Sequence, residues 1–189
     1  MKPIPIRPLS PYRTVSSIVI LTALTMALVA TVGGCRKKPR RPGTIVSGPA
    51  NEFVTVTFHP PGQAAVSVRT ELAATEATRT HGLMYRGELD PNAGMLFAFP
   101  KQEMLVFWMK NTIIPLDMIF IDAHKVVVGV VHDAHPLSTK TLSPGKTSQY
   151  VVEVNAGFSR KHHIEAGTKV DFTLPAQTVE DLKNKASEK

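Results

Sequence analysis

Lys110, Asn111 and Asp117 lie in a largely apolar run, Phe107 to Asp122, that also holds the chain's single tryptophan, Trp108. Ionisable side chains in such surroundings cost free energy unless they are paired or reach water. That cost marks the run as the place to look for chemistry. On a strand, side chains alternate, so Trp108, Lys110 and Thr112 share one face and Phe107, Met109 and Asn111 the other. Trp108 and Lys110 would then be close enough for a cation–π contact. An exposed indole beside a lysine and an asparagine makes a platform for a sugar or a peptide. A lysine beside an indole can also act as a base through a lowered pKa. The competing expectation is that Trp108 is a core aromatic, with Lys110 paired to Asp117 or Asp122.

Arg79 and Arg86 are seven residues apart, two turns along one helical face. Such a pair can clamp an anion bidentately. It can equally pin a helix to a sheet through carboxylates, for which Asp117 and Glu153 are the candidates. The candidate ligand-binding set is therefore Arg79, Arg86, Trp108, Lys110, Asn111 and Asp117.

Other chemistry has little support. Of seven histidines, His132 and His135 are the densest cluster, and on a strand they point to opposite faces. His162 and His163 diverge on a helix. No metal site is expected. Methionines at 84, 95, 104, 109 and 118 would suit Cu(I), but four of them sit in apolar runs and read as core filler. No serine or cysteine is marked as a nucleophile by its neighbours. There is no glycine-rich phosphate loop and no Gly-x-Ser-x-Gly elbow, and no cofactor is expected.

Charge is distributed unevenly. The net charge is +7, yet eight of the 22 basic residues fall within residues 1–41, where there is no acid. The remaining 14 face 15 acidic residues, leaving that part near neutral. A nucleic-acid binder would carry its charge on the domain, so nucleic acid is not an expected partner. The positive charge flanks an apolar segment, where its natural partner is an anionic lipid surface.

Residues 1–34 read as a signal peptide or membrane anchor. Three positive charges precede an apolar stretch, Ile18 to Val32, and Val32-Gly33-Gly34-Cys35 follows. A cysteine after two small residues resembles the lipobox of bacterial lipoproteins. That resemblance implies cleavage before Cys35 and acylation of Cys35. Arg36 in the next position resembles an outer-membrane destination in Gram-negative lipoproteins. The alternative is an uncleaved anchor, since 22 uncharged residues are long enough to span a bilayer. Cys35 is also the only cysteine, so no internal disulfide can form. Residues 35–50 read as a basic, proline-rich linker.

The elements that must position the candidate site follow from periodicity. Phe53 to Phe58 alternates as a half-buried strand, and Pro60-Pro61-Gly62 turns the chain into a second strand, Ala65 to Leu72. Thr75 caps a helix running through Arg79 to about Met84. Met95 to Phe99, Met104 to Lys110, Leu116 to Ile121, Val126 to His132, Gln149 to Asn155 and Gly167 to Thr173 are strand-like, and Ala156 to His163 is a second short helix. Eight or nine short strands and two short helices predict a mainly β (α+β) fold, a β-barrel domain over residues 51–175. Residues 176–189 form a polar tail, either a frayed helix or disordered.

Arg79-x-x-Gly82-Leu83-Met84-x-Arg86, Gly94-Met95-Leu96-Phe97-x-Phe99, Phe107-Trp108-Met109-Lys110-Asn111-Thr112-x-Ile114-Pro115-Leu116-Asp117, and Glu153-x-Asn155-x-Gly157 with Gly167 together resemble the bacterial and archaeal family called domain of unknown function 192. The resemblance spans roughly residues 64 to 173. It implies a compact β-rich fold, commonly behind a signal peptide, and no known activity. Many members carry a cysteine after the proline near position 136, where this chain has Leu137-Ser138-Thr139.

These readings converge on an extracytoplasmic module held at a membrane. It would bind a small polar or anionic ligand, a glycan or an envelope partner. The alternatives are a hydrolase or transferase acting on envelope polymers, with Lys110 or Asp117 as base, and a structural accessory protein.

Overall fold

Every second residue of the strand β1 (Phe53–His59) turns inward: Val54, Val56 and Phe58 are buried and their neighbours reach water. The computed structural model describes residues 52–188. Gly62, with φ of +70°, closes the turn into β2 (Val66–Ala73), which pairs antiparallel to β1 with Val56 opposite Val68. Helix α1 (Glu76–His81) then carries the chain across to β3 (Ala93–Glu103), parallel to β2 with Leu72 opposite Leu96. A hairpin follows, β4 (Leu116–Ile121) with β5 (Val127–Ala134). Its turn is fixed by the Asp122 carboxylate, which accepts hydrogen bonds from the amides of His124 and Val126. The strand β6 (Ser148–Asn155) enters between β3 and β4, antiparallel to both. After α2 (Phe158–Lys161), β7 (Lys169–Asp171) adds to the outer side of β1.

The seven strands form one sheet in the order β5-β4-β6-β3-β2-β1-β7. It curls until its two edges meet. Val127 N–H donates to the Thr168 carbonyl, Gly167 N–H to Val127, and Val170 N–H to Lys125, at 2.8–2.9 Å. Joining the edges in this way removes the unpaired backbone groups that an open sheet would leave there.

Two apolar clusters lie on the two faces. The first draws on all seven strands, with Val56, Val68, Leu96, Ile119, Val127, Val152 and Val170 among its members. The second covers the opposite face of the central strands, with Met95 and Phe97 from β3, Met118 and Phe120 from β4 and Val151 from β6. It is roofed by Leu83, Leu105, Met109 and Ile114, which come from the connections rather than from strands. Burial on both faces explains why all six residues of β4 are buried.

The mainly β expectation holds, and its details change. Among the described residues the strands number seven, not eight or nine, and the helices three, not two. Met104 to Lys110 is extended but pairs through a single bridge, Phe107 with Leu142. Helix α1 stops at His81 rather than Met84, because Gly82 has φ of +51° and breaks the helical path. The tail from Ala176 forms helix α3 (Ala176–Ser187), which buries Thr178 and Leu182 and packs against β3. The predicted leader 1–34 and linker 35–50, Cys35 included, lie outside the described residues. Among the described residues, no helix is long and apolar enough to cross a membrane.

Candidate functional site

A cleft of about 370 Å³ opens where α1, β3 and the extended segment 104–112 meet. Helix α1 forms one wall. Thr75 caps it, its hydroxyl accepting the Thr78 amide while the Thr78 hydroxyl accepts the Thr75 amide. Arg79 then pins the helix to the sheet. Its guanidinium donates to the carbonyl of Ala74 at 2.5 Å and of Ala98 at 3.0 Å, and lies 4.9 Å from the Phe99 ring centroid. Burial holds its pKa below the usual guanidinium value, partly offset by Glu76 and Glu103.

The opposite wall is aromatic. Phe107 meets Phe97 edge-on at 5.1 Å, Phe99 at 6.3 Å and Phe120 at 5.8 Å. The segment carrying Phe107 is tied down by paired hydrogen bonds with Leu142 and by Met109 N–H to the Ser138 carbonyl. Its residues alternate without belonging to a strand. Leu105 and Met109 are buried, whereas Val106 and Trp108 are about half exposed. Trp108 borders the cleft, and the Lys110 ammonium stands 5.5 Å from its ring. Beyond Lys110 the chain turns through Asn111, whose φ is +59°. The Asn111 carbonyl accepts from Tyr85 N–H and the Thr112 carbonyl from Leu137 N–H. Tyr85 and Leu137 also have positive φ, so three strained, non-glycine residues surround this turn.

Glu153 lines the deep end. It sits on β6 with Met95 opposite it on β3 and Met118 on β4. Gly94 lets the strands close beside it, since a Cβ there would stand 2.5 Å from the Glu153 carbonyl oxygen. The Glu153 side chain is only 5% exposed, and its carboxyl has neither a hydrogen bond nor an ion pair among the described residues. Desolvation pushes its pKa up to about 8. At neutral pH the cleft therefore ends in an uncharged carboxylic acid, able to donate one hydrogen bond and accept others.

The six predicted site residues part company. Arg79 and Trp108 border the cleft. Lys110 accompanies Trp108, and the Asn111 amide reaches the Met84 sulfur at 3.8 Å. Arg86 lies past the end of α1, so it does not share a helical face with Arg79. It forms a bidentate pair with Glu71 on β2, at 2.5 and 2.6 Å, and not with Asp117 or Glu153. An anion clamp made of the two arginines is therefore not formed. Asp117 is fully buried away from the cleft. One oxygen accepts the Asp133 amide, and the other accepts the amide and hydroxyl of Ser159, at 2.5–2.9 Å. With both oxygens engaged, it joins β4, β5 and α2 and offers nothing to a ligand. Trp108 is not the buried core aromatic of the competing expectation, and Lys110 pairs with neither Asp117 nor Asp122.

The histidines enter the same joinery. The Ser159 hydroxyl spends its hydrogen on Asp117, so His132 Nδ1, 2.9 Å away, must donate to it. Asp133 pairs with Arg160. Among the described residues, no group of three or more His, Cys, Asp or Glu is placed to hold a metal ion.

From its sequence context Glu153 is a motif residue and a candidate partner for an arginine, not a site residue. The available signal was an acid inside Tyr150-Val151-Val152-Glu153-Val154, the one charge in a strand that is otherwise buried toward its end.

The sequence profile of domain of unknown function 192, described as "Uncharacterized ACR", matches residues 57–172. The chain belongs to this family. The match contains both walls of the cleft and Glu153. Two crystal structures resemble this domain of unknown function 192 member. One, from Sinorhizobium meliloti 1021, is provisionally described as a transcription regulator. It is 30% identical with a TM-score of 0.63, over 65% of this chain and 95% of that one. The other, a protein of unknown function from Novosphingobium aromaticivorans DSM 12444, is 35% identical with a TM-score of 0.62, over 67% of this chain and 89% of that one. Curated proteins give no match.

Proposed function

We propose that this chain is a membrane-tethered, extracytoplasmic binding module whose cleft takes a small polar ligand of the cell envelope, such as a saccharide or an amine. One observation carries the reading: a half-exposed Trp108 at the border of a hollow that ends in the unpartnered carboxyl of Glu153. Such a hollow combines largely apolar walls with a few polar groups, of which Glu153 is the buried one, the usual composition of a small-molecule site. The hydrolase or transferase alternative loses one of its two proposed bases, because Asp117 is sealed and fully hydrogen-bonded, and keeps Lys110 beside Trp108.

Binding is tested by isothermal titration of the full-length protein against a panel of small envelope saccharides and amines. At least one should bind saturably. Trp108→Ala should weaken that binding about tenfold, the loss of roughly 1.4 kcal/mol of ring contact, without changing the fold. If no panel member binds, and cells carrying Trp108→Ala with Lys110→Ala show a stable protein and no phenotype, the reading fails.

Tethering rests on the leader pattern, with the Pro- and Gly-containing residues 36–50 as the tether. The intact mass of membrane-extracted protein should correspond to a chain that starts at an acylated Cys35. A chain starting at Met1 or Lys2 would exclude lipidation and leave an uncleaved anchor as the tether.

A further inference from the structure

We propose that the group the cleft receives is a primary ammonium, held by the Glu153 carboxylate as counter-charge and surrounded by the rings of Phe97, Phe99, Phe107 and Trp108. This rests on the reading of the cleft as a binding site and names the chemistry of its occupant.

Three features of the structure point there. The first is the unfilled valence of Glu153. Several buried polar side chains elsewhere find partners: Asp117 accepts three hydrogen bonds, Thr70 donates to the Val54 carbonyl, and Ser159 bridges Asp117 and His132, while the Ser148 hydroxyl, away from the cleft, has none. The Glu153 carboxyl has no hydrogen bond among the described residues and borders the cleft, where an entering group can meet it. The second is that both nearby arginines are engaged. Arg79 gives two hydrogens of one guanidinium nitrogen to backbone carbonyls, and Arg86 is paired with Glu71. The lining of the cleft includes no lysine, and its buried ionisable group is an acid, Glu153. The third is the wall. Aromatic faces attract cations through their quadrupoles and repel anions. Four such rings line a space sized for an amine and a short chain.

The ionisable groups bordering the cleft, apart from Glu153, are Glu76, Arg79 and His81, all on α1. Facing Glu153 from β3 and β4 are Met95 and Met118, neither of which titrates. Capture is then a simple exchange. The acid gives its proton to water, and the resulting carboxylate pairs with the ammonium. One proton leaves for each amine bound, and no covalent bond to the ligand forms.

Full-length protein is titrated with propylammonium chloride and, as the uncharged isostere, with propanol. Calorimetry in two buffers of different ionisation enthalpy reads affinity and proton release together. Propylammonium affinity should rise roughly fiftyfold between pH 6 and pH 8, as the ionised fraction of Glu153 climbs from about 1% to about half. One proton should be released per amine at pH 6. Glu153→Gln should abolish both the slope and the release, whereas His124→Asn, on the turn between β4 and β5 and outside the cleft, should keep them. Propanol binding as tightly as the amine, or affinity that falls as pH rises, would overturn the ammonium assignment while leaving the cleft a binding site. Failure of both probes would overturn it too, and the wider ligand panel then decides whether the cleft binds anything.

Discussion

Asp117→Ala is expected to remove about 3 to 5 kcal/mol of folding free energy, read as a fall in the urea midpoint at unchanged slope. The carboxylate is fully buried and satisfies the Asp133 amide, the Ser159 amide and the Ser159 hydroxyl. Removing it strands three donors where water cannot replace the lost acceptor, and each stranded group costs about 1 to 3 kcal/mol. Asp117→Asn is the sharper test. It preserves volume but keeps only one acceptor oxygen, so its amide nitrogen must face an N–H or O–H donor. With the oxygen turned to Ser159, the amide nitrogen faces the Asp133 N–H, and a loss of about 1 to 3 kcal/mol should remain. A catalytic base would behave in the opposite way, because the Asn variant would fold normally and lose only turnover. Wild-type stability in Asp117→Asn would contradict the joinery role given to this residue.

The same residue shows how far a sequence carries the argument. Asp117 stands out because an acid in an apolar run is costly, and that inference is sound. What the sequence does not disclose is how the cost is met. Here it is met by amides from β5 and α2, which are 16 and 42 residues away and arrive only through the fold. Arg86 is similar. Its partner Glu71 is near only because α1 returns the chain alongside β2. Short-range patterns read well. The alternation of β1 and the limits of β4 follow directly from which side chains must avoid water. Met104 to Lys110 misled because alternation reports which side is buried and not whether a ladder partner exists. That segment is a roof strapped by one bridge, and a roof alternates as a strand does. The roof also hides Glu153. With Val152 and Val154 on the interior face, Val151 and Glu153 read as the face toward solvent. Only the covering of that face by Leu105, Met109 and their neighbours turns an ordinary outward acid into a buried, unpartnered one.

Burial of that acid should make the protein less stable as pH rises. Glu153 has an ordinary carboxyl pKa near 4.5 in the unfolded chain and one of about 8 when folded, raised by desolvation. The folded state thus holds this proton more tightly than the unfolded state. Below pH 4.5 both states are protonated, and burying the neutral acid carries no charge penalty. Between pH 4.5 and 8 the unfolded chain ionises first, so each unit of pH removes about 1.4 kcal/mol of stability. Above pH 8 the loss levels off, at about 5 kcal/mol in total from this group. Glu153→Gln keeps the shape and cannot ionise. It should lie within about 1 kcal/mol of the parent at pH 5 and be several kcal/mol more stable than it at pH 9. Comparing the two proteins at each pH cancels the titration of every other group. Urea unfolding from pH 5 to 9, followed through the lone indole, makes the comparison. Propylammonium should narrow the gap at pH 9 by neutralising the buried carboxylate in the parent and leaving the Gln variant unmoved. Parallel stability curves for parent and variant would mean that the carboxylate is solvated after all, and the cleft would lose the buried acid on which its proposed chemistry rests.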